Sequence, residues 1–460
     1  MKIEKIKVEN FRSLKNFEIE LEETMSLIVG KNNTGKTSVI EILNKLINKS
    51  GGIESDDFNI DYVKELEKNI RDESYKFITQ GIKMKIFIAY NEKDNLSNIS
   101  NLLTTLDPEN NYIIIDIEYI LNEENFIKLK TDFMKFIHDN TEKNFEYFFK
   151  HNYKKYFKTI KRSLEYDKDN KKENEENYVD IENDKDISKI IRIKYISAKR
   201  LVDNKDSNKT LSMQSASYYE KIENTPEMEQ NIADFRNELE KTDKKFDEKY
   251  AQIFKDVIDK IKEFGCLKKD DLNLEIKSLL EQSNILKGNT TVFYNYKGQT
   301  NLPENYNGVG YLNLISIIFE IENIITDFSK SDEVADINLL FIEEPEAHTH
   351  PQMQYVFINN IKSLLTKSSK EKDIELQTII TTHSSHIVSQ SNFDDIKYFN
   401  KNDKGTWCKN LKDLEKEYKS EERSYKFLKQ YLTLNRSEIF FADKIIFIEG
   451  DTERILLPAM

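Results

Sequence analysis

Cysteine is nearly absent. Only Cys266 and Cys408 occur in 460 residues, far apart and in no metal-ligand spacing. That excludes a disulfide scaffold and a cysteine-based zinc site, and it makes a reducing, cytoplasmic compartment the expectation. No apolar run of about 18 residues occurs, so no membrane span is expected. The N-terminal MKIEKIKVENF is charged and alternating, a strand rather than a signal peptide. Positive charge is not in excess either: 69 Lys and Arg against 82 Asp and Glu leave a net charge of -13. Nucleic acid would therefore have to be met by a local basic patch, since no global field attracts it. The one compact basic and aromatic stretch, His151–Arg162 (HNYKKYFKTIKR), reads either as a solvated helix face or as a DNA contact.

What is there, with 38% hydrophobic residues, suffices for about two to four domains with real cores. Residues 1–134 read as one lobe of a sheet domain. Ile3, Ile6 and Val8 form a broken alternating stripe, Leu27–Val29 an apolar strand, and 38–46 a helical pattern. Further strands fall at 83–90 and 112–118, with FIKLKT at 126–131 joining the same sheet. Over 135–190 the composition turns aromatic and lysine-rich and then to KDNKKENEENYVDIENDKD, a charged linker or excursion outside the core. Strand character returns at 191–204. Residues 205–290 are polar and helical, either a surface excursion or an insertion used for self-association.

A second lobe spans 291–400. It has a strand at 291–296, a glycine-bearing loop NYNGVGYLNLI at 305–315 leading into an apolar helix, and strands at 337–345 and 376–385 around a helix from about Pro351. Residues 401–443 read as a helical connector, and 444–460 as a strand, a tight turn and the start of a helix.

Between the strand Leu27–Val29 and the helix after it lies Gly30-Lys31-Asn32-Asn33-Thr34-Gly35-Lys36-Thr37-Ser38, which fits GxxxxGK[ST] in the context that motif requires. Loop N–H groups at Asn32, Asn33 and the helix start face phosphates, Lys36 reaches the β/γ oxygens, and Thr37 offers its hydroxyl to Mg²⁺. The apolar run Leu339–Ile342 ends in Glu343 and Glu344, carboxylates at the end of a buried strand, where ligands of parallel sheets bind. Glu343 is expected to hold Mg²⁺ and Glu344 to orient the attacking water. A third apolar strand ends at His383, placed either to sense a γ-phosphate or simply to satisfy its own hydrogen bonds. His348, His350, His383 and His386 are four of the six histidines, but H-x-H and H-x-x-H on separate loops form no known metal signature.

NFRSLKNFEI, GKNNTGKTS, FIEEPEAHTHP and TTHSSHIV resemble the RecF/SMC-like branch of ABC ATPases. With the C-terminal segment they resemble the overcoming-lysogenization-defect (OLD) family of ATP-powered nucleases, which includes the ATPase–nuclease subunit of Gabija anti-phage defence. The resemblance covers about 1–130 and 290–460 and implies an α/β fold: an ABC/SMC-type P-loop ATPase head with a helical insertion, ending at the start of a Toprim domain. It implies ATP and Mg²⁺ as cofactors, a homodimer or higher homo-oligomer with nucleotide between two heads, and DNA as substrate. By position Gly308, Gly310 and Asn313 match the signature loop that completes a neighbour's site, although the LSGGQ-like sequence itself is absent. Arg12 and Asn16 to Glu20 match the N-terminal strand pair, with Arg12 near the nucleotide, and Glu344, Glu346, His348 and His383 match the segments after the carboxylate strand and around the switch histidine.

The segment Phe447-Ile448-Glu449-Gly450-Asp451-Thr452-Glu453 resembles the opening of a Toprim domain. Glu449 and Glu453 would then be the first members of a carboxylate set holding Mg²⁺ or Mn²⁺ for phosphodiester hydrolysis. One strand and two helical turns cannot form that domain's core. The expectation is therefore an ATPase that does not cut DNA by itself. Two other readings remain: an ATPase scaffold caging a separate Toprim effector, as in the PARIS defence system, and a RecF-like repair ATPase. A helicase or effector encoded nearby is the expected protein partner.

Overall fold

The computed structural model describes residues 1–105, 107, 110–139, 144–167, 170, 172–198, 211–222, 229–253, 255, 277–278, 280, 285, 293–296, 300–303, 309–330, 334–403, 405–419 and 421–457. They fall into two compact units, 1–198 with 328–460, and 199–327.

The strands in chain order are β1 (Lys2–Phe11), β2 (Leu14–Glu20), β3 (Met25–Gly30), β4 (Gln80–Ala89), β5 (Tyr112–Leu121), β6 (Phe157–Asp167), β7 (Lys172–Asp180), β8 (Ile191–Ile196), β9 (Phe293–Tyr296), β10 (Thr300–Pro303), β11 (Ile337–Glu343), β12 (Leu376–Thr382), β13 (Ile396–Asn402) and β14 (Gly405–Asn410). In the first unit an antiparallel sheet runs β2-β1-β4-β5-β6-β7, and a second sheet runs β14-β13-β3-β12-β11-β8. In the second, β13, β3, β12, β11 and β8 are mutually parallel, and β14 closes the edge antiparallel to β13. Every residue of β3 and β12 is buried, as expected of strands covered on both faces. One apolar cluster takes side chains from both sheets, among them Ile6, Ile86 and Ile117 of the first and Ile28, Phe341 and Phe399 of the second. Helix α1 (Lys36–Leu46) contributes Val39, Ile42, Leu43 and Leu46 to that cluster. The architecture is α/β, with the phosphate-loop strand β3 flanked by β13 and β12.

Several local expectations are corrected. FIKLKT is not a strand but part of α3 (Glu123–Asp139): Phe126, Leu129 and Phe133 are buried at helical spacing while Ile127 is 59% exposed. A six-residue window is too short to separate the two periods. The stretch 135–190 is no linker outside the core. Helix α4 (Phe145–Asn152) buries Phe145, Phe148 and Phe149, and β6 and β7 extend the antiparallel sheet. The polarity of β7 is the polarity of ion pairs, with Glu173 2.8 Å from Lys7 and Glu175 2.5 Å from Lys85. Composition therefore disguised a strand as a linker. The basic stretch 151–162 also breaks up: Tyr153, Tyr156 and Phe157 are core residues, and Arg162 is paired with Asp116 and Glu118. The connector 401–443 is helical only in part, since β14 occupies Gly405–Asn410.

Residues 444–448 form no strand ladder. They run exposed, with Phe447 81% accessible, and the helix Asp451–Leu456 follows. An extended segment becomes a strand only when a neighbour takes its N–H and C=O groups.

The second unit holds helices α6 (Leu211–Ile222) and α7 (Glu229–Ile253), which follow α2 (Ile60–Arg71) and α5 (Asp184–Ile190) of the first unit in chain order. It also holds the β9–β10 hairpin and most of the helix Val309–Lys330. Gln214 donates to Ser316 at 2.7 Å, Lys221 reaches Asp327 at 3.0 Å, and Tyr219 meets Phe235 edge to face. Of the 205–290 stretch expected to be helical, Val257, Ile258 and Ile261 lie outside the described residues.

Candidate active site

Parallel pairing places the ends of β3, β12 and β11 at one edge of the sheet. Thr382 stands opposite Val29, and Glu343 opposite Thr381. From β3 the chain turns through Asn33 and Gly35, both at positive φ, into α1. A Cβ on Gly30 would stand 2.5 Å from the Phe399 carbonyl, so here glycine is demanded by the neighbouring strand β13. A Cβ on Gly35 would stand 2.6 Å from Ser13 Oγ, because the β1–β2 turn packs onto the loop.

Arg12, Ser13, Asn32, Asn33, Gly35, Lys36, Thr37, Ser38, Glu344, Thr381 and His383 line one cleft of about 640 Å³. Within it the Lys36 ammonium donates to the carbonyls of Gly30 and Lys31, both at 2.7 Å, and lies 3.4 Å from His383 Nδ1. His383 Nε2 is 3.0 Å from Glu344 Oε1. The imidazole thus joins the lysine expected to meet phosphate to the carboxylate expected to orient water. Burial lowers the Lys36 pKa to about 8, against the pull of Glu344 and Glu346. Burial, with the Lys36 charge, also lowers that of His383, so the neutral ring accepts at Nδ1 and donates from Nε2.

Glu344 holds a left-handed backbone, φ 41°, and its N–H donates to the Thr381 carbonyl at 3.0 Å. Burial raises the pKa of Glu343, opposed by hydrogen bonds from the Ala198 N–H and the Thr37 hydroxyl. The Thr37 hydroxyl and the Glu343 carboxylate are thus adjacent hard oxygen donors, the chemistry a Mg²⁺ ion takes. Among the described residues no three or more His, Cys, Asp and Glu gather to hold a metal alone. An ion here would share its coordination with phosphate oxygens and water.

Two further side chains support the cleft, Thr381, which no expectation named, and Glu346, expected only as part of the segment after the carboxylate strand. Thr381 lines it, and Glu346, raised in pKa by burial, accepts from Thr382 Oγ1 at 2.9 Å and from the His383 N–H at 2.5 Å. Thr381 lies beside motif residues but is marked by no pattern of its own. His348 and His350 are exposed, His350 capping the helix Pro351–Glu371, and His386 bonds Tyr355 at 2.9 Å. Gly310 and Asn313 sit in the first turns of the helix Val309–Lys330 in the second unit, where a loop was expected. Gly308 lies outside the described residues. Glu449 and Glu453 are exposed near the C-terminal end, with Glu453 accepting from the Gly450 N–H at 3.1 Å. No described helix is long and apolar enough to cross a membrane.

Comparison with known proteins adds the family. The model of the AAA ATPase domain matches residues 1–388, and that of the overcoming lysogenization defect protein-like TOPRIM domain matches residues 440–460. The chain is similar to Endonuclease GajA of Bacillus cereus, 31% identical over 493 residues, covering 99% of this chain and 67% of that protein. It is also similar to an ATP/GTP phosphatase of Helicobacter pylori, 29% identical over 121 residues, covering 26% of this chain and 29% of that one. Among solved structures, the SMC head domain from Thermotoga maritima aligns at 10% identity and TM-score 0.37, covering 89% of this chain and 99% of that one. Stu0660 of Streptococcus thermophilus aligns at 12% identity and TM-score 0.41, covering 99% of each. With the AAA ATPase domain matched over most of its length and the OLD-like TOPRIM match behind it, the chain belongs to the OLD-type family of AAA ATPases.

Proposed function

We propose that this chain binds ATP with Mg²⁺ in the cleft beside β3 and hydrolyses it, and that the nucleotide state controls a metal-dependent Toprim nuclease acting on DNA in prokaryotic anti-phage defence. One observation carries the reading: Lys36, Thr37, Glu344 and His383 line the same cleft, with Glu343 bonded to Thr37. Lys36 leaves the loop carbonyls to meet the β/γ oxygens. His383 meets the γ-phosphate and orients Glu344, which positions the attacking water. Thr37 and Glu343 would hold Mg²⁺, which would supply neutralisation of charge on the phosphates.

The Toprim part rests on the match at 440–460 and on the similarity to Endonuclease GajA. Glu449 and Glu453 are the carboxylates this chain would bring to that site, loaded with Mg²⁺ or Mn²⁺. The same match favours a nuclease in the family of this chain over an ATPase that cages a separate effector. Gly308, Gly310 and Asn313 are assigned to completing the site of a second copy, which makes the ATP-loaded form a homodimer.

Binding of a fluorescent ATP analogue and phosphate release by the purified chain test the core of this reading. Lys36→Ala is expected to abolish binding. Glu344→Gln is expected to keep binding and lower turnover by roughly 10²–10³-fold, the scale of losing a group that acts in the transition state. Full turnover in Glu344→Gln, or undiminished binding in Lys36→Ala, would remove this site from the chemistry.

A further inference from the structure

Arg12 lines the nucleotide cleft from the turn between β1 and β2, where its backbone is left-handed at φ 47°. A non-glycine residue keeps such a conformation only where its surroundings enforce it. The enforcing element is the short turn at Ser55–Asn59. The Arg12 N–H donates to the Asp57 carbonyl at 2.8 Å, and Asn59 Nδ2 donates to the Arg12 carbonyl at 2.6 Å. The Asn59 N–H donates to the Asn10 carbonyl at 2.9 Å. The side chain is held as well: Arg12 Nε and a terminal guanidinium nitrogen both stand 2.9 Å from Asp57 Oδ1.

Asp57 is itself 1% exposed, whereas the Arg12 side chain keeps 35% of its surface open. The second Asp57 oxygen takes Lys45 of α1 at 2.6 Å and the Glu54 N–H at 2.9 Å. One buried carboxylate therefore ties an arginine in the cleft wall to the helix that begins at the phosphate loop. A surface ion pair would contribute little here, but a desolvated carboxylate shared by two cations and an N–H fixes geometry.

We infer that Asp57 is a positioning residue for nucleotide binding: it clamps Arg12 with its guanidinium turned to the cleft, at a fixed distance from the phosphate loop, where it contacts the triphosphate. The inference rests on the nucleotide reading above and adds to it a residue outside every sequence motif. A guanidinium left free to sample rotamers would lose the pre-organisation that makes arginine effective on phosphate oxygens.

A double-mutant cycle on the whole chain tests this, with ATP affinity measured by titration and the thermal unfolding midpoint recorded for each variant. Asp57→Ala and Arg12→Ala are each expected to raise the Kd for ATP by roughly 10- to 100-fold, the range for losing a positioning contact. The double variant should be no weaker than Arg12→Ala alone. Should Asp57→Ala fail to fold, Asn59→Ser decides, since it keeps the cap of α2 but drops the bond to the Arg12 carbonyl. It too should raise Kd alone and add nothing to Arg12→Ala. Additive losses, or no loss in Arg12→Ala, would overturn the clamp while leaving the nucleotide site standing. A wild-type chain that binds no ATP would instead overturn the reading beneath it.

Discussion

Lys36 meets two demands at once. Its ammonium donates to the Gly30 and Lys31 carbonyls, and on the proposed reading it leaves them to meet a phosphate. The loop keeps its shape meanwhile because Gly35 adopts φ 86° against the β1–β2 turn. Gly35→Ala would put a Cβ 2.6 Å from Ser13 Oγ in a backbone conformation that costs an L-residue about 1–2 kcal/mol. The expected outcome is a fold that survives with a lowered unfolding midpoint and ATP binding reduced beyond detection. Binding retained within about threefold of wild type would show that the turn relaxes and that the loop is less constrained than its contacts imply.

At the scale of elements, β6 and β7 show how charge can be buried in a sheet. Asp116 of β5 is fully buried, with Arg162 2.8 Å away and Glu118 bonded to the same guanidinium at 3.0 Å. Burial, then the Glu118 charge, pushes the Asp116 pKa up to about 6 from 3.8. Because the folded-state pKa is raised, the protonated form favours folding. That contribution is complete below the unfolded value of 3.8 and is lost as pH rises through 6. Urea unfolding of wild type and Asp116→Asn should therefore diverge on acidification. Between pH 7 and 4 the difference is expected to move in favour of wild type by on the order of 2–3 kcal/mol. A constant difference across that window would mean that Asp116 titrates normally and that the ion pairs with β6 outweigh its burial. Ion pairs of β7 likewise explain why KENEENYVD could not be recognised as a strand. Its partners, Lys7 and Lys85, lie in strands far away in sequence.

At the scale of the whole molecule, each copy carries a net charge of -13, so the proposed pairing of two heads would work against a long-range repulsion. ATP-dependent pairing should therefore strengthen as ionic strength rises from about 0.02 to 0.15 M, where the screening length falls below about 10 Å. Sedimentation velocity of Glu344→Gln with ATP and Mg²⁺ would register this as a growing dimer fraction. A dimer fraction that falls with added salt would point to attractive charge contacts across the interface. The sequence by itself determined the phosphate loop, the carboxylate strand ending at Glu343 and Glu344, and the histidine strand. Each is a contiguous run whose apolar stretch and polar end follow from burial of a parallel strand. Tertiary structure alone decided what joins them: the strand order that brings His383 between Lys36 and Glu344, and the packing of β13 that requires Gly30. It alone also brought Asp57 to Arg12, across a separation of 45 residues. Those contacts depend on which strands pair and which turns meet, and long-range pairing leaves no periodic trace in the residues that make it.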